Sequence, residues 1–278
     1  MAMAMEVEQD LTEAYSISSE QIEQYQANGF IKLKHVLSAE TLAYYGREIT
    51  RKVKELNSEH LPIEERDLYH RAFLQVENLW ESSDLVREFI TSPKLGRLAA
   101  QLMGSTGVRI YHDQALYKEA GGGFTPWHAD QYYWPVNTDK TITAWIPLQE
   151  TPLEIGPLAF CPKSHRVTYG RDLEIGQESE DRIGEALKDH GIDEEKFDLG
   201  EVSFHSGWTF HRAGQNTTPK PREVMTIIYM DEDMRLTQPV NPYQQADRDK
   251  YCPGIEVGDL IHTPMNLLVW SSRSQSTN

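Results

Sequence analysis

From about residue 107 onward the chain consists of short segments rich in β-branched and aromatic residues. This sequence pattern constrains the fold more than any other feature. Each segment is bounded by glycine, proline, asparagine or aspartate, which are typical turn residues. The segments are VRIYHDQALYK, KTITAWIPLQ, GPLAFCP, GEVSFHSG and REVMTIIYMDE. Short strands separated by such turns predict a mainly β fold, either a barrel or a double-sheet jelly roll.

The first hundred residues have the pattern of helices joined by short extended pieces. In SSEQIEQYQANG, Ser18 is a candidate N-cap and Gly29 a helix stop. FIKLKHVL alternates apolar and polar residues and predicts a short strand, after which a second helix begins at Ser38. In SPKLGRLAAQLMG, Ser92 is the cap, a proline follows at the first helical position, and Gly104 lies just beyond the end.

Neither an internal repeat nor a clear linker interrupts the chain, so we expect one domain. Residues 1–16 are acidic and lack the basic and apolar regions of a secretory signal, and they predict a disordered tail. Residues 17–278 then form the domain. We expect it to be helical to about residue 106 and to have its β core at about 107–235.

An acidic segment interrupts that core. The stretch RDLEIGQESEDRIGEALKDHGIDEEKFD has eleven acidic and four basic side chains. This composition is typical of a solvated, partly helical insertion. We expect a lid-like insertion at about 166–199, and its acidity disfavours a coenzyme A thioester as substrate.

Overall charge and cysteine content limit the partners of the protein. The chain carries 27 basic and 43 acidic residues, a net charge of −16, which argues against nucleic acid or an anionic membrane as a partner. The two cysteines are too few for a disulfide framework, and a reducing cytoplasm is the expected location. Apolar runs long enough to cross a bilayer are missing from the sequence. The pattern leaves open whether the protein is a monomer or a homodimer.

The stretch TPWHADQYYWPV contains a candidate metal-ligand pair, His128 and Asp130. Side chains at positions i and i+2 of a β-strand project to the same side. Iron(II) sites in oxygenases use two histidines and one carboxylate on one face. A single His-x-Asp spacing is expected by chance roughly 0.6 times in a chain of this composition, so the pair alone leaves a structural role equally open.

A third ligand would come from GEVSFHSGWTFHRAGQN, which offers His205 and His211. The turn sequence AGQN after His211 places this histidine at a strand end, and Arg222 follows eleven residues later. A guanidinium binds a carboxylate in bidentate fashion, as the distal carboxylate of 2-oxoglutarate requires. Taken alone, Arg222 is more simply explained as a structural arginine in a surface salt bridge.

The order of these motifs resembles the phytanoyl-CoA dioxygenase family of Fe(II)/2-oxoglutarate oxygenases. The resemblance begins with SSEQIEQYQANGFIKLKHVLSAETL and continues through WHAD, TAWIPLQ and GPLAFCPKSHR to GEVSFHSGWTFHRAGQN and Arg222. It covers residues 17 to about 232. It implies a double-stranded β-helix core, a jelly roll of the cupin type, with flanking helices.

The resemblance also implies roles for individual residues. His128, Asp130 and His211 would be the iron ligands, and Arg222 would bind the distal carboxylate of the co-substrate 2-oxoglutarate. Further co-substrate contacts are implied for Trp145 and, less directly, for Gln114, whereas His205 matches a family histidine that is not a ligand. Many relatives have a serine where this chain has Ala213, which puts one co-substrate contact in doubt.

The activity implied by the resemblance is hydroxylation of an unactivated C–H bond of a small organic molecule, with consumption of O2 and release of succinate and CO2. The carboxylate Asp130 argues against halogenation, and no catalytic residue beyond the metal ligands is required. Trp127, Tyr132 and Trp134 are the candidate substrate contacts. Desaturation, cyclisation or epimerisation share the same motifs, and a metal- or ligand-binding jelly roll without turnover is the alternative from another class.

Overall fold

A computed structural model describes residues 2–275, in which two antiparallel sheets are flanked by helices. The large sheet has the strand order β1–β8–β5–β10–β3–β11, with β2 paired to β3, and the small sheet has the order β4–β9–β6–β7. The strands are β1 Phe30–Leu33, β2 Leu74–Glu77, β3 Gly107–Tyr117, β4 Thr125–His128, β5 Thr141–Pro147, β6 Leu158–Phe160, β7 Asp193–Glu194, β8 Val202–Ser206, β9 His211–Ala213, β10 Val224–Asp231 and β11 Leu268–Ser271. This arrangement confirms the predicted jelly roll.

The helices mostly cover the outer face of the large sheet. They are α1 Ala2–Thr12, α2 Ser19–Asn28, α3 Ala39–Leu56, α4 Leu68–Ala72, α5 Asp84–Ile90, α6 Pro93–Met103, α7 Gln177–Leu187, α8 Pro242–Tyr251 and α9 Ser272–Gln275. The main hydrophobic core lies between α1–α3, α5 and α6 and the outer side chains of β3, β5, β8 and β10. The opposite face of the large sheet therefore lines the cavity that contains the candidate site.

The central strands β5 and β10 are buried along their whole length, as expected for strands covered on both faces. They pair with each other in register, with Trp145 opposite Thr226. β3 pairs with the other edge of β10 through a bulge at Ile228/Tyr229. This bulge increases the local bend of the sheet around the cavity.

The helix boundaries predicted from capping residues are confirmed. The Ser18 hydroxyl accepts from the backbone N–H of Gln21, whose side chain accepts from the Ser18 N–H, and the helix ends at Gly29 with φ of 85°. Ser38 and Ser92 cap α3 and α6 through their hydroxyls. The local sequence was sufficient here because a cap involves only neighbouring residues.

The predicted disordered tail over residues 1–16 is wrong for the residues that the structure describes. Helix α1 buries Val7 and Leu11 in the main core. Asp10 accepts a 2.6 Å hydrogen bond from the Lys94 ammonium and a 2.9 Å bond from the Ser38 N–H. Burial alone would raise the pKa of Asp10, but these hydrogen bonds outweigh it and lower the pKa. A tertiary ion pair, which composition does not reveal, attaches the segment.

The expected core at about 107–235 is extended by strands from outside that range. β1, β2 and β11 all join the large sheet. The acidic segment contains α7, which packs against β4, and its Glu180 accepts a 2.9 Å hydrogen bond from the Trp127 N–H. Whether this segment closes as a lid stays a prediction. No helix among residues 2–275 is long and apolar enough to cross a membrane.

The attachment of α1 predicts a stability effect. Leu11→Ala should lower the free energy of unfolding by about 2–5 kcal/mol, because it removes a fully buried side chain and leaves a cavity. Denaturant unfolding measures the change. Glu13→Ala, an exposed position on the turn that follows, is the control and should change stability by less than about 0.5 kcal/mol. Equal small effects at both positions would contradict the docking of α1.

Candidate metal centre

Two neighbouring strands bring the candidate histidines together. β4 pairs antiparallel with β9, and His128 at the end of β4 lies directly opposite His211 at the start of β9. The two imidazole ring centroids are 4.1 Å apart. Residues separated by 83 positions in sequence thus become direct cross-strand neighbours.

Asp130 completes the cluster from beyond the strand end. β4 stops at His128, and Asp130 begins a short 3-10 turn that runs to Tyr133. The two ligands therefore do not share one strand, as the i and i+2 spacing suggested, because the backbone leaves the extended conformation at Asp130. The turn still directs the carboxylate towards the histidines, with Asp130 Oδ1 3.6 Å from both His128 Nε2 and His211 Nε2.

Backbone carbonyls orient both imidazoles. His128 Nδ1 lies 2.8 Å from the Pro126 carbonyl oxygen, and His211 Nδ1 lies 3.0 Å from that of Thr209. A carbonyl only accepts, so each Nδ1 carries the proton and each Nε2 presents a lone pair to the cluster. This is the tautomer that metal-binding histidines need.

The charge state of the cluster also suits a cation. Burial lowers the pKa of His128 and of His211 to about 4, so both rings are neutral at pH 7. Burial alone would raise the pKa of Asp130, but His211, His205 and His128 outweigh it and the pKa falls below its usual range. Neutral imidazoles and an ionised carboxylate form the donor set of a divalent metal site, and the three ligand atoms lie within 4.8 Å of one another.

Two further side chains hold the other oxygen of Asp130. The Thr143 hydroxyl donates a 2.9 Å hydrogen bond to Oδ2, and His205 Nε2 lies 3.2 Å from the same atom. His205 lies in β8, and its ring centroid is 4.4 Å from that of His211. Its contact with the carboxylate fits the supporting position that the resemblance implied.

The cluster opens into a cavity of about 700 Å³ between the two sheets. The residues that line it come from both sheets, the turn after β4, the acidic segment and α8. They include the metal cluster, Thr143, Trp145, His205, Arg222 and Gln114. The sequence-predicted iron and co-substrate residues therefore share one enclosed space. Gln114 also accepts a hydrogen bond from the Gln75 amide, so its side-chain oxygen already has a partner within the protein.

Arg222 is a buried cation without an anionic partner among residues 2–275. Its side chain is 1% exposed, one nitrogen donates to the Gly156 carbonyl, and its Nε has no hydrogen-bond partner among the described residues. Burial lowers its pKa to about 9, which still leaves it protonated at neutral pH. The indole of Trp145 lies 5.4 Å from the guanidinium, and its own Nε1 is likewise unpartnered.

Lys118 is a second buried cation beside Arg222, and sequence reasoning missed it. It directly follows β3 and is fully buried. Its ammonium donates to the Gly123 carbonyl and, at 3.4 Å, to the Thr125 hydroxyl. Burial and the adjacent Arg222 lower its pKa well below the ordinary value. Lys118 has no carboxylate within ion-pair distance among residues 2–275. Two such cations with unused donors fit a bound dicarboxylate.

The predicted substrate contacts are only partly found in the cavity. Trp134 lines it, and so does its neighbour Tyr133. Trp127 precedes His128 in β4 and is buried on the other side of that strand, where it packs with Ile183 of α7 and with the Arg212 guanidinium at 5.6 Å. Tyr132 lies in the 3-10 turn and is absent from the wall, and its carbonyl accepts a hydrogen bond from the Gln244 amide.

A jelly roll with a two-histidine, one-carboxylate cluster in its cavity defines the class of non-haem iron oxygenases. A family model described as phytanoyl-CoA dioxygenase (PhyH) matches residues 25–224. The chain belongs to the phytanoyl-CoA dioxygenase family, as the sequence resemblance indicated. It is an Fe(II)- and 2-oxoglutarate-dependent dioxygenase.

Two relatives agree with this assignment, and a solved structure agrees with the fold. The chain is 26% identical to a probable alpha-ketoglutarate-dependent hypophosphite dioxygenase of Stutzerimonas stutzeri, over 77% of this chain and 79% of that protein. It is 24% identical to an ectoine dioxygenase of Bordetella bronchiseptica, over 81% and 79%. In fold it is similar to the alpha-ketoglutarate-dependent carbocyclase SnoK from nogalamycin biosynthesis, with a TM-score of 0.76 and 23% identity over 92% and 97% of the two chains.

The support of Asp130 by Thr143 gives a test of the metal centre. Thr143→Val should weaken Mn(II) or Fe(II) binding by about 10- to 100-fold, because an outer hydrogen bond that orients a ligand is lost while the ligand remains. His211→Ala should abolish tight binding. Anaerobic calorimetry measures both, with Thr91→Val, directly after the distant helix α5, as the control. Unchanged affinity in His211→Ala would refute this cluster as the metal site.

Proposed function

We propose that this chain hydroxylates an unactivated C–H bond of a small organic molecule and releases succinate and CO2. The observation that carries the proposal is a single cavity whose wall includes the metal cluster and the unpartnered Arg222 together. Relatives named as dioxygenases of hypophosphite and ectoine support a small-molecule substrate. Two free, buried cysteines are consistent with a cytoplasmic location, which we propose as well.

His128, Asp130 and His211 would hold the iron in this proposal. The bound iron and 2-oxoglutarate supply an oxidising power that protein side chains lack. The chain itself provides three things, namely oriented neutral imidazoles, a carboxylate held by Thr143, and a wall that keeps water from the reacting bond. No side chain is needed as a general acid or base.

We assign the co-substrate to the end of the cavity at Arg222, beside which Lys118 is buried behind the cavity wall. Two buried basic groups close together are unfavourable without an anion, because each disfavours the charged form of the other. A carboxylate bound to the Arg222 guanidinium would offset this repulsion and use the Arg222 Nε. Ala213 also lines the cavity, in the position where many relatives have a serine. Its methyl group cannot donate a hydrogen bond, so the two cations have the main part in holding the carboxylate.

This assignment predicts selective loss of co-substrate affinity. Arg222→Met should weaken 2-oxoglutarate binding by roughly 30-fold or more, since removing one partner of a buried charge pair costs about 2–5 kcal/mol. Lys118→Met should weaken it by about tenfold or more. Calorimetry with Mn(II)-loaded protein reports binding without turnover. Arg97→Met, exposed on α6, is the control, and equal affinity in all variants would rule the assignment out.

The reaction itself is tested by its products. Wild-type protein with Fe(II), O2, 2-oxoglutarate and a substrate panel should form succinate, and the matching substrate should gain 16 mass units through one oxygen atom. His128→Ala should reduce succinate formation to background. Mass spectrometry separates hydroxylation from desaturation, cyclisation and epimerisation, which change the mass differently. Metal and 2-oxoglutarate binding without any succinate would instead indicate a binding protein.

A further inference from the structure

Charges of opposite sign lie beside different parts of β3 in the cavity wall, with Arg222 opposite Lys118 just after the strand and Asp247 bonded to Tyr111 seven residues earlier. Arg222 is the one arginine that lines the cavity among residues 2–275, and no lysine lines it. Apart from the metal-cluster carboxylate, the wall contains four acidic side chains, which are Asp67, Glu77, Glu174 and Asp247. One end of the cavity therefore suits an anion, and the part reserved for the substrate is acidic.

Helix α8 supplies much of that acidic part. Tyr243, Asp247 and Tyr251 are spaced four residues apart, so they share one face of the helix. Tyr243 and Asp247 line the cavity, and the Tyr251 ring stacks on that of His112 with centroids 4.5 Å apart. The face that α8 turns to the protein thus combines a carboxylate with aromatic rings.

Two of the four carboxylates already bond to a basic side chain. Asp67 contacts the His70 ring at 2.7 Å, and Glu77 accepts a hydrogen bond from the Lys250 ammonium, which offsets its charge. Lys250 forms no ion pair with Asp247 among the described contacts.

Asp247 and Glu174 have no basic partner among residues 2–275. Asp247 accepts a 3.3 Å hydrogen bond from the Tyr111 hydroxyl. Burial, with the nearby Glu77, raises the pKa of Asp247 to about 7. Glu174 is exposed and faces the Tyr243 hydroxyl, whose pKa it raises. A half-buried carboxylate with only a phenol as partner is stabilised by any cation that binds beside it.

His112 gives independent evidence that this region receives a polar ligand. It is 6% exposed, it lines the cavity, and its Nδ1 has no hydrogen-bond partner in the part of the chain that the structure describes. Burial lowers its pKa to about 4, so the imidazole is neutral and adds no positive charge. Around it are the rings of Trp134 and Tyr251. A buried polar group left unpartnered in a cavity wall is costly unless a ligand or water contacts it.

We propose that the substrate is a small molecule bearing a protonated amine, which binds between Asp247 and Glu174 while its apolar or ring-shaped body extends towards the metal cluster. The inference rests on the proposed oxygenase function and names its substrate class. Tyr133, Trp134 and Tyr243 present aromatic rings to this space, and alkylammonium groups are attracted to aromatic faces. An anionic substrate would meet uncompensated carboxylates there, with the cations at the other end taken by the co-substrate.

The test compares ligands that differ in charge alone. Tryptamine, N-acetyltryptamine and indole-3-propionate share one skeleton and carry positive, zero and negative charge. They are titrated into protein loaded with Fe(II) and 2-oxoglutarate under argon, so that binding is measured without turnover. Tryptamine should bind about tenfold or more tightly than the other two, because hydrogen bonds to charged groups are the stronger ones. The same series on a 2-phenylethyl skeleton should show the same order.

Variants on α8 test whether Asp247 causes the preference for tryptamine. Asp247→Asn should remove most of this preference, whereas Asp249→Asn, an exposed position on the same helix, should leave it unchanged. Asp247→Glu should restore it in part. Glu174→Gln, at an exposed position that does not affect folding, should reduce it several-fold. A stronger binding of indole-3-propionate than of tryptamine, or an undiminished preference in Asp247→Asn and Glu174→Gln, overturns the proposal.

Failure of this inference is distinguishable from failure of the oxygenase function. The same protein samples are titrated with 2-oxoglutarate, whose binding depends on Arg222 and not on Asp247. Retained 2-oxoglutarate binding without amine preference refutes the substrate class alone. Absence of 2-oxoglutarate binding refutes the oxygenase proposal, whatever the amines do.

Discussion

The antiparallel pairing of β4 with β9 is the interaction on which the site depends. It places His128 directly opposite His211, and the carbonyls of Pro126 and Thr209 then set both imidazoles in the same tautomer. These strands are only four and three residues long. Strands this short are not stable alone. Their position is determined by the large sheet, whose core is buried by the N-terminal helices.

Desolvation links the metal cluster to the rest of the cavity. Burial keeps the cluster histidines neutral and lowers the pKa of Arg222 and of the neighbouring Lys118 at one end. At the other end it raises the pKa of Asp247. The charged forms of Arg222 and Asp247 are therefore disfavoured by burial and stabilised by a ligand of opposite charge. The cavity therefore favours an anion at one place and a cation at another. This difference is a physical basis for binding two different small molecules side by side.

Sequence reasoning succeeded where the signal was local or where several motifs occurred in a fixed order. The caps at Ser18, Ser38 and Ser92 were confirmed, as were the jelly-roll class and the family. It was wrong for the N-terminal segment, which the Asp10–Lys94 ion pair holds in place. It did not reveal that β4 ends at His128, or that the 3-10 turn from Asp130 to Tyr133 takes Tyr132 away from the cavity wall. Lys118 was missed because a lysine at a strand end is usually exposed.

The sequence by itself determined the class of fold, the helix limits and the residue types available for metal binding, because periodicity, caps and turn residues act over a few positions. The tertiary structure alone decided which side chains meet. Sheet pairing and packing between distant segments bring His128 close to His211, Lys118 close to Arg222, and α8 close to His112. Burial of those groups, and hence their charge state, follows only from that packing, because desolvation is a property of the folded surroundings and not of the residue.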